Sequence, residues 1–363
     1  GRYLGDGVGG LQIIHFSQDT FSEMDRLITE MDREAVEEGR DGLEGLVIDL
    51  RDNPGGYLNQ AIQVSDKFLE SGVIVSTRGN ARQQGEYHEA SKHQTESDMR
   101  LVMLVDYGSA SASEIFAGAV RNLDRGVVVG VTTFGKGSVQ NLYPFHHDGS
   151  ALKLTIDHYL TPGDHSIQSV GIDPDIELRP VWIDDDGDAF YYWQDAMTRE
   201  KDLDEHFDGG EIGEGTGYAY QYLAPDFPMW SSEDFRDEPD DLARWGEGFQ
   251  VQFAKTIVTE STRPDRKRML TESYPAIQEA MRGHNADLVA RFAEVGIDWA
   301  PAPAEGAGEG TPRAVIDMQI GSSTGVLPVG EKTPLTLMVT NAGDAPFHRL
   351  RAMAESELIS GKE

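Results

Sequence analysis

Residues 109 to 140 carry the side chains best suited to chemistry. Ser109-Ala110-Ser111-Ala112-Ser113-Glu114 is a run of small residues that follows the apolar stretch Leu101-Val102-Met103-Leu104-Val105. Lys136 lies downstream in Thr133-Phe134-Gly135-Lys136-Gly137, with Gln140 four residues after it. A serine exposed on a sharp strand-to-helix turn, beside a lysine on a glycine-flanked turn, supplies the parts of a Ser–Lys hydrolase. The serine needs small neighbours. A lysine of ordinary pKa, about 10.4, is a poor base at neutral pH, so this chemistry requires a poorly solvated pocket. Each segment also has a plain structural reading, as a helix N-cap and a surface turn. A phosphate loop is a third reading, since Gly130 and Gly135-Lys136 fit the start of G-x-x-x-x-G-K-[ST]. It fails because residue 137 is glycine and because Ser138 to Tyr143 has the pattern of a strand where a helix is required.

A second signal lies upstream. Gly45-Leu46-Val47-Ile48-Asp49-Leu50 is a short apolar strand, ended by Arg51-Asp52-Asn53-Pro54-Gly55-Gly56. Two adjacent glycines let the backbone turn sharply and present N–H groups. Such an N–H is a candidate donor to an oxyanion. Taken alone, the segment is an ordinary strand-to-helix turn.

Together these strings resemble the C-terminal processing peptidases, or tail-specific proteases, of the S41 type. The resemblance rests on Leu46 to Gly56, Gly108 to Glu114 and Thr133 to Gln140. It also takes in Ser166-Ile167-Gln168 with Gly171-Ile172-Asp173-Pro174-Asp175-Ile176, all in the family's order and spanning about residues 10 to 178. It implies Ser111 as nucleophile, Lys136 as general base and Gln140 as the residue that orients the lysine. The N–H of Ala112 would be one oxyanion donor and a glycine of the Gly55-Gly56 pair the other, with Gly55 favoured. Some members carry an aspartate eleven residues after the nucleophile; this chain has Asn122 there, and Asp124 is off register. The implied fold is the layered α/β arrangement shared with crotonases and the Clp peptidase. The implied activity is a serine endopeptidase acting near protein C-termini, exported to a bacterial periplasm or envelope and acting on protein or peptide substrates. A homo-oligomer or an adaptor protein is a possible partner, and no cofactor or metal is implied. A non-catalytic scaffold that binds peptides on the same fold is the alternative. A PDZ module and a secretion signal usually precede this point in the family; neither is visible here, so a fragment is expected.

The elements that must position these residues follow from periodicity. A strand is expected over 10–16. Phe21, Met24, Ile28, Met31 and Ala35 step as an amphipathic helix. Further strands are expected at 45–50, 73–77, 101–105, 126–131, 138–144 and 151–160, with helices at 57–70 and 111–122. Alternating strands and helices imply a layered α/β core. The polar stretch 79–99 reads as a flexible loop over the site. Its His88 and His93 offer a weak alternative as metal ligands.

The peptidase core is therefore expected over 1–180. An acidic loop and helical extension follows over 181–300, then a Pro/Ala/Gly-rich linker at 301–311. A partial β-sandwich is expected over 312–363, with strands near 315–318, 335–339 and 350–352. Residues 181–245 hold 19 acids and 4 bases, close to half of the chain's net charge of −32. Asp184-Asp185-Asp186-Gly187-Asp188 fails the EF-hand pattern, whose first and twelfth positions would be Trp182 and Trp193, and reads as a solvated loop. The overall charge argues against nucleic acid and against anionic membrane surfaces. No apolar run is long enough to span a membrane.

Overall fold

A computed structural model of the chain describes residues 1–79, 85–92, 96, 98–145, 150–183, 190–192, 199–202, 218–224 and 245–294, with the backbone of 314–320 and 335–341. Residues 1–287 form one compact unit and 288–363 a second.

The first unit is built on a sheet whose central strands are parallel. β1 (Arg2–Gly5) pairs antiparallel with β2 (Val8–Gln12). β3 (Gly45–Asp49), β6 (Arg100–Val105), β7 (Val127–Gly130) and β11 (Ile176–Ile183) then follow β2 in parallel register. β12 (Phe190–Tyr192) and β13 (Ala219–Leu223) both pair with β11. Successive side chains of a strand point to opposite faces. Leu46, Ile48, Leu101, Met103, Val105 and Val128 join one core cluster, and Val47, Val102, Leu104, Val127 and Val129 join the other. Both faces are apolar, so both must be covered.

Helices α1 (Thr20–Glu37), α2 (Leu58–Asp66) and α3 (Ala112–Asn122) supply residues to the first cluster. The expected spacing on α1 is met, with Met24, Ile28, Met31 and Ala35 buried. The helix expected over 57–70 stops at Asp66. It tightens into a turn in which the Phe68 N–H bonds to Ser65 O, and Phe68 still stacks on Phe116 with ring centroids 6.1 Å apart. The strand expected over 10–16 is β2, which runs over Val8–Gln12.

The second cluster is completed by α4 (Phe249–Glu260) and α5 (Arg266–Glu294), through Val251, Phe253, Ala254, Ile257, Val258, Met269, Ile277 and Met281. The boundary expected near residue 180 thus falls inside β11. The helices anticipated as an extension cover the second face of the core sheet, because alternation along the strands leaves that face as apolar as the first. Trp245 donates to the buried Asp49 carboxylate at 2.6 Å, and Arg266 pairs with the buried Asp175.

A second sheet holds β4 (Val73–Gly79), β5 (Tyr87–Glu89), β8 (Ser138–Pro144), β9 (Ala151–Thr161) and β10 (His165–Ser166). The expected loop over 79–99 contains β5, which pairs with β4; residues 80–84 and His93 lie outside the described residues. So do Asp184 to Asp188, the linker, and the strand expected at 350–352. In the second unit, β14 (Ala314–Ile320) and β15 (Leu335–Asn341) pair antiparallel in unbroken register.

If α4 is part of the core, Phe253→Ala should cost about 3–5 kcal/mol, the range for emptying a buried aromatic site. Urea unfolding followed by circular dichroism measures it. A loss below about 1 kcal/mol, as for surface substitutions, would make α4 a dispensable layer.

Candidate functional site

The three sequence motifs leave the sheet at one place. Residues 50–56 follow β3, 106–111 follow β6 and 131–137 follow β7, and these strands are parallel neighbours. Motifs far apart in sequence therefore meet beyond the carboxyl ends of the strands, where α/β sheets place their sites. Backbone bonds join them: Ala110 N–H to Asn53 O at 2.9 Å and Phe134 N–H to Ser109 O at 3.1 Å.

The three serines of the run have different fates. Ser109 and Ser113 are fully buried, and their hydroxyls donate to Leu50 O at 2.7 Å and to Asn53 O at 2.9 Å. They fasten the β6 loop to the β3 loop. Ser111 is partly exposed and caps α3 with φ 56° and ψ −111°. A non-glycine residue in such a conformation costs roughly 1–3 kcal/mol and persists only where its surroundings hold it. One restraint is the bond from the Ser111 N–H to Glu114 Oε2 at 2.8 Å.

Glu114 is the residue whose role the sequence reading missed. Its fully buried carboxylate accepts from Ser111 N–H and Lys136 N–H at 2.8 Å each, from Gly135 N–H at 2.7 Å and from the Thr133 hydroxyl at 2.5 Å. One side chain thereby holds both the serine turn and the lysine turn. Burial pushes its pKa up to about 7, against the opposing pull of these four donors. The signal was present in the sequence, since Ser111-x-x-Glu114 has the spacing of a capping box.

Gly55 lies against the serine turn: a Cβ there would sit 2.7 Å from Ala110 O and 2.9 Å from both Ala112 N and Ser111 Cβ. Its φ of 101° also favours glycine. The Gly55 N–H, however, donates to Asn53 Oδ1 at 2.9 Å. The N–H expected to serve as an oxyanion donor is thus engaged by the Asn53 side chain. The neighbouring bridge to Phe16 runs through Gly55 O and Tyr57 N–H, which leaves the Gly56 N–H out of both bonds. Ala112 is the first residue of α3, and its N–H is among the first-turn donors with no intrahelical acceptor.

Lys136 is partly buried, and Gln140 lies on β8 at a register shift between Val139 and Gln140; the Gln140 side chain is outside the described residues. Asn122 donates to Thr161 Oγ1 and Pro162 O, and Asp124 pairs with Arg266, so both are engaged at the far end of α3. Two further polar groups brace the loops. Asp49 accepts from the Arg51 backbone N–H and guanidinium. Asp106 Oδ1 accepts from the N–H groups of Asp52, Gly108 and Ser109 at 2.9 to 3.1 Å. Among the described residues no group of three or more His, Asp or Glu side chains could hold a metal ion, and no helix is long and apolar enough to cross a membrane.

The family model described as peptidase family S41 matches residues 7–178. A carboxy-terminal-processing protease of Bartonella bacilliformis is 39% identical over 219 residues, covering 60% of this chain and 48% of that protein. A carboxyl-terminal-processing protease of Synechocystis is 34% identical over 171 residues, covering 47% and 38%. Among solved structures, one titled photosystem II D1 C-terminal processing protease is similar at 30% identity and a TM-score of 0.42, covering 47% of this chain and 42% of that one. Residues 7–178 of this mixed α/β chain are thus similar to peptidase family S41. It spans about half or less of the length of the curated relatives it matches.

Desolvation and the neighbouring Asp52 carboxylate push the Asp106 pKa up to about 7. A carboxyl raised in the folded state holds its proton more tightly there than in the unfolded chain. The stability it confers is complete below its unfolded pKa and is lost as pH rises through 7. Asp106→Asn keeps an accepting oxygen and removes the titration. The Tm of the unsubstituted protein is expected to fall between about pH 5 and pH 8, and that of the variant to fall less. Equal slopes in a thermal-melt series would contradict this assignment.

Proposed function

We propose that the chain is a serine endopeptidase that cleaves proteins or peptides near their C-termini. Lys136 Nζ takes the Ser111 Oγ proton as Oγ bonds to the substrate carbonyl carbon. The N–H groups of Ala112 and Gly56 hold the oxyanion of the tetrahedral intermediate. The lysinium then protonates the leaving amine as the C–N bond breaks. Water hydrolyses the acyl-enzyme, with Lys136 again as base. Gln140 orients the lysine without adding charge.

The observation that carries this reading is the division of labour among the three serines. The hydroxyls of Ser109 and Ser113 are consumed by backbone carbonyls. Ser111 stands on a strained turn whose N–H is tied to the same carboxylate as the Lys136 N–H. The similar carboxy-terminal-processing proteases support the substrate class.

The test is labelling of the chain by a fluorophosphonate, with turnover of an unstructured protein substrate. Ser111→Ala should abolish both, while Ser109→Ala and Ser113→Ala retain part of each. Lys136→Arg should be nearly inactive, because arginine does not deprotonate in a protein. Equal loss from all three serine variants would indicate a folding defect and remove the assignment. An inert unsubstituted chain would leave the peptide-binding scaffold as the better reading.

A further inference from the structure

The backbone of the lysine loop is gripped from two sides. From within, Glu114 takes the N–H groups of Gly135 and Lys136. The outer grip comes from residues beyond the matched family domain, which ends at residue 178. Arg199 Nε donates to Thr133 O at 3.1 Å, and its terminal nitrogen donates to Val170 O at 2.6 Å. The Glu200 N–H donates to Phe134 O at 3.2 Å. Glu200 Oε1 accepts from Gln168 Nε2 at 3.0 Å, and Gln168 Oε1 in turn accepts the Gly137 N–H at 3.1 Å. Gln168 is buried, so its bond to the Gly137 N–H is shielded from water. Gly171 leaves the space for the guanidinium, since a Cβ there would lie 3.0 Å from the Arg199 nitrogen.

The N–H groups of Thr133, Phe134, Gly135, Lys136 and Gly137 bond to Ile172 O, Ser109 O, Glu114, Glu114 and Gln168. The carbonyls of Gly135 and Gly137 are taken by the N–H groups of Ser169 and Tyr159. The carbonyls of Thr133 and Phe134 are taken by Arg199 and Glu200. Buried backbone groups must find partners, and losing one costs more than the bond itself returned. Without Arg199 and Glu200, two consecutive carbonyls just before Lys136 lose these donors, and the loop can relax toward water.

We propose that Arg199 and Glu200 are positioning residues for Lys136, forming a latch from outside the family domain that holds the lysine loop in its productive shape. The inference rests on the reading of Lys136 as general base. It separates the site into a serine half, set by the β3 and β6 loops, and a lysine half that depends on a later segment of the chain.

The experiment uses the full chain and measures the second-order rate of Ser111 labelling by a fluorophosphonate, with kcat and KM on a peptide substrate. Arg199→Ala should slow labelling about tenfold or more, the effect of an unpartnered buried group. It should lower kcat and leave KM nearly unchanged. Guanidinium ion added to Arg199→Ala should restore part of the rate. In a Lys136→Ala background, Arg199→Ala should cost nothing further, because the group it positions is gone. Glu200→Ala should show the same pattern with a smaller loss, and serves where Arg199→Ala proves too unstable to assay. A labelling rate unchanged in both variants, or a loss that adds in full to that of Lys136→Ala, would overturn the latch. If Ser111→Ala is inert while Arg199→Ala matches the unsubstituted chain, the latch fails and the reading of the site stands. If Ser111→Ala still labels, the reading of the site fails.

Discussion

The site depends on one buried carboxylate. Glu114 sits on the first turn of α3 with no exposure to solvent and accepts from four donors. Burying a carboxylate costs several kcal/mol unless donors offset it, and charge-assisted bonds are the strongest available. The offset is incomplete, as the upward-shifted pKa records. That cost is tolerated because the donors belong to two different loops. The Ser111 turn and the Lys136 turn cannot move independently without stranding a charge. A helix N-terminus also favours a negative charge, which adds to the fit at this position.

The carboxylate can serve both loops only because the sheet delivers them to the same place. Parallel strands β3, β6 and β7 end side by side, and hydroxyls of Ser109 and Ser113 pin the serine loop onto the carbonyls of the β3 loop. Parallel strands buried on both faces need a helical layer on each. Here α1, α2 and α3 cover one face, and α4 with α5 cover the other. The second layer also reaches the motifs directly. Trp245 bonds to Asp49, and Gln250 takes a bond from Arg51, so the start of α4 is tied to the Asp49–Gly56 motif. The segment with Arg199 and Glu200 does the same for the lysine loop. The serine and lysine turns thus lie within the stretch that the family model matches, while some of their supports come from later in the chain.

Much of this was legible in the sequence. Strand periods located β3, β6, β7 and β8, and the stepping of Met24, Ile28, Met31 and Ala35 located α1. The motifs around Ser111 and Lys136, far apart in sequence, do meet at the ends of parallel neighbouring strands. That the Asn53 side chain takes the Gly55 N–H and not that of Gly56 was not legible, because it is a matter of backbone direction and not of residue type. Beyond residue 180 the acidic composition conceals the short strand that pairs with the sheet; the helices were expected there, but helical spacing does not say which face of the sheet they cover. Arg199 escaped notice for the same reason: a lone arginine among acids reads as a solvated charge, and only its contacts reveal a buried task.

The most direct test of the account concerns Glu114. Glu114→Gln is nearly isosteric but places an NH2 where one of the two accepting oxygens stood, against the donors of the serine and lysine turns in either orientation. The rate of fluorophosphonate labelling at Ser111 should fall at least about tenfold, while circular dichroism shows a folded chain. A variant that labels at the rate of the unsubstituted protein would show that the carboxylate does not hold the two turns in their reactive arrangement.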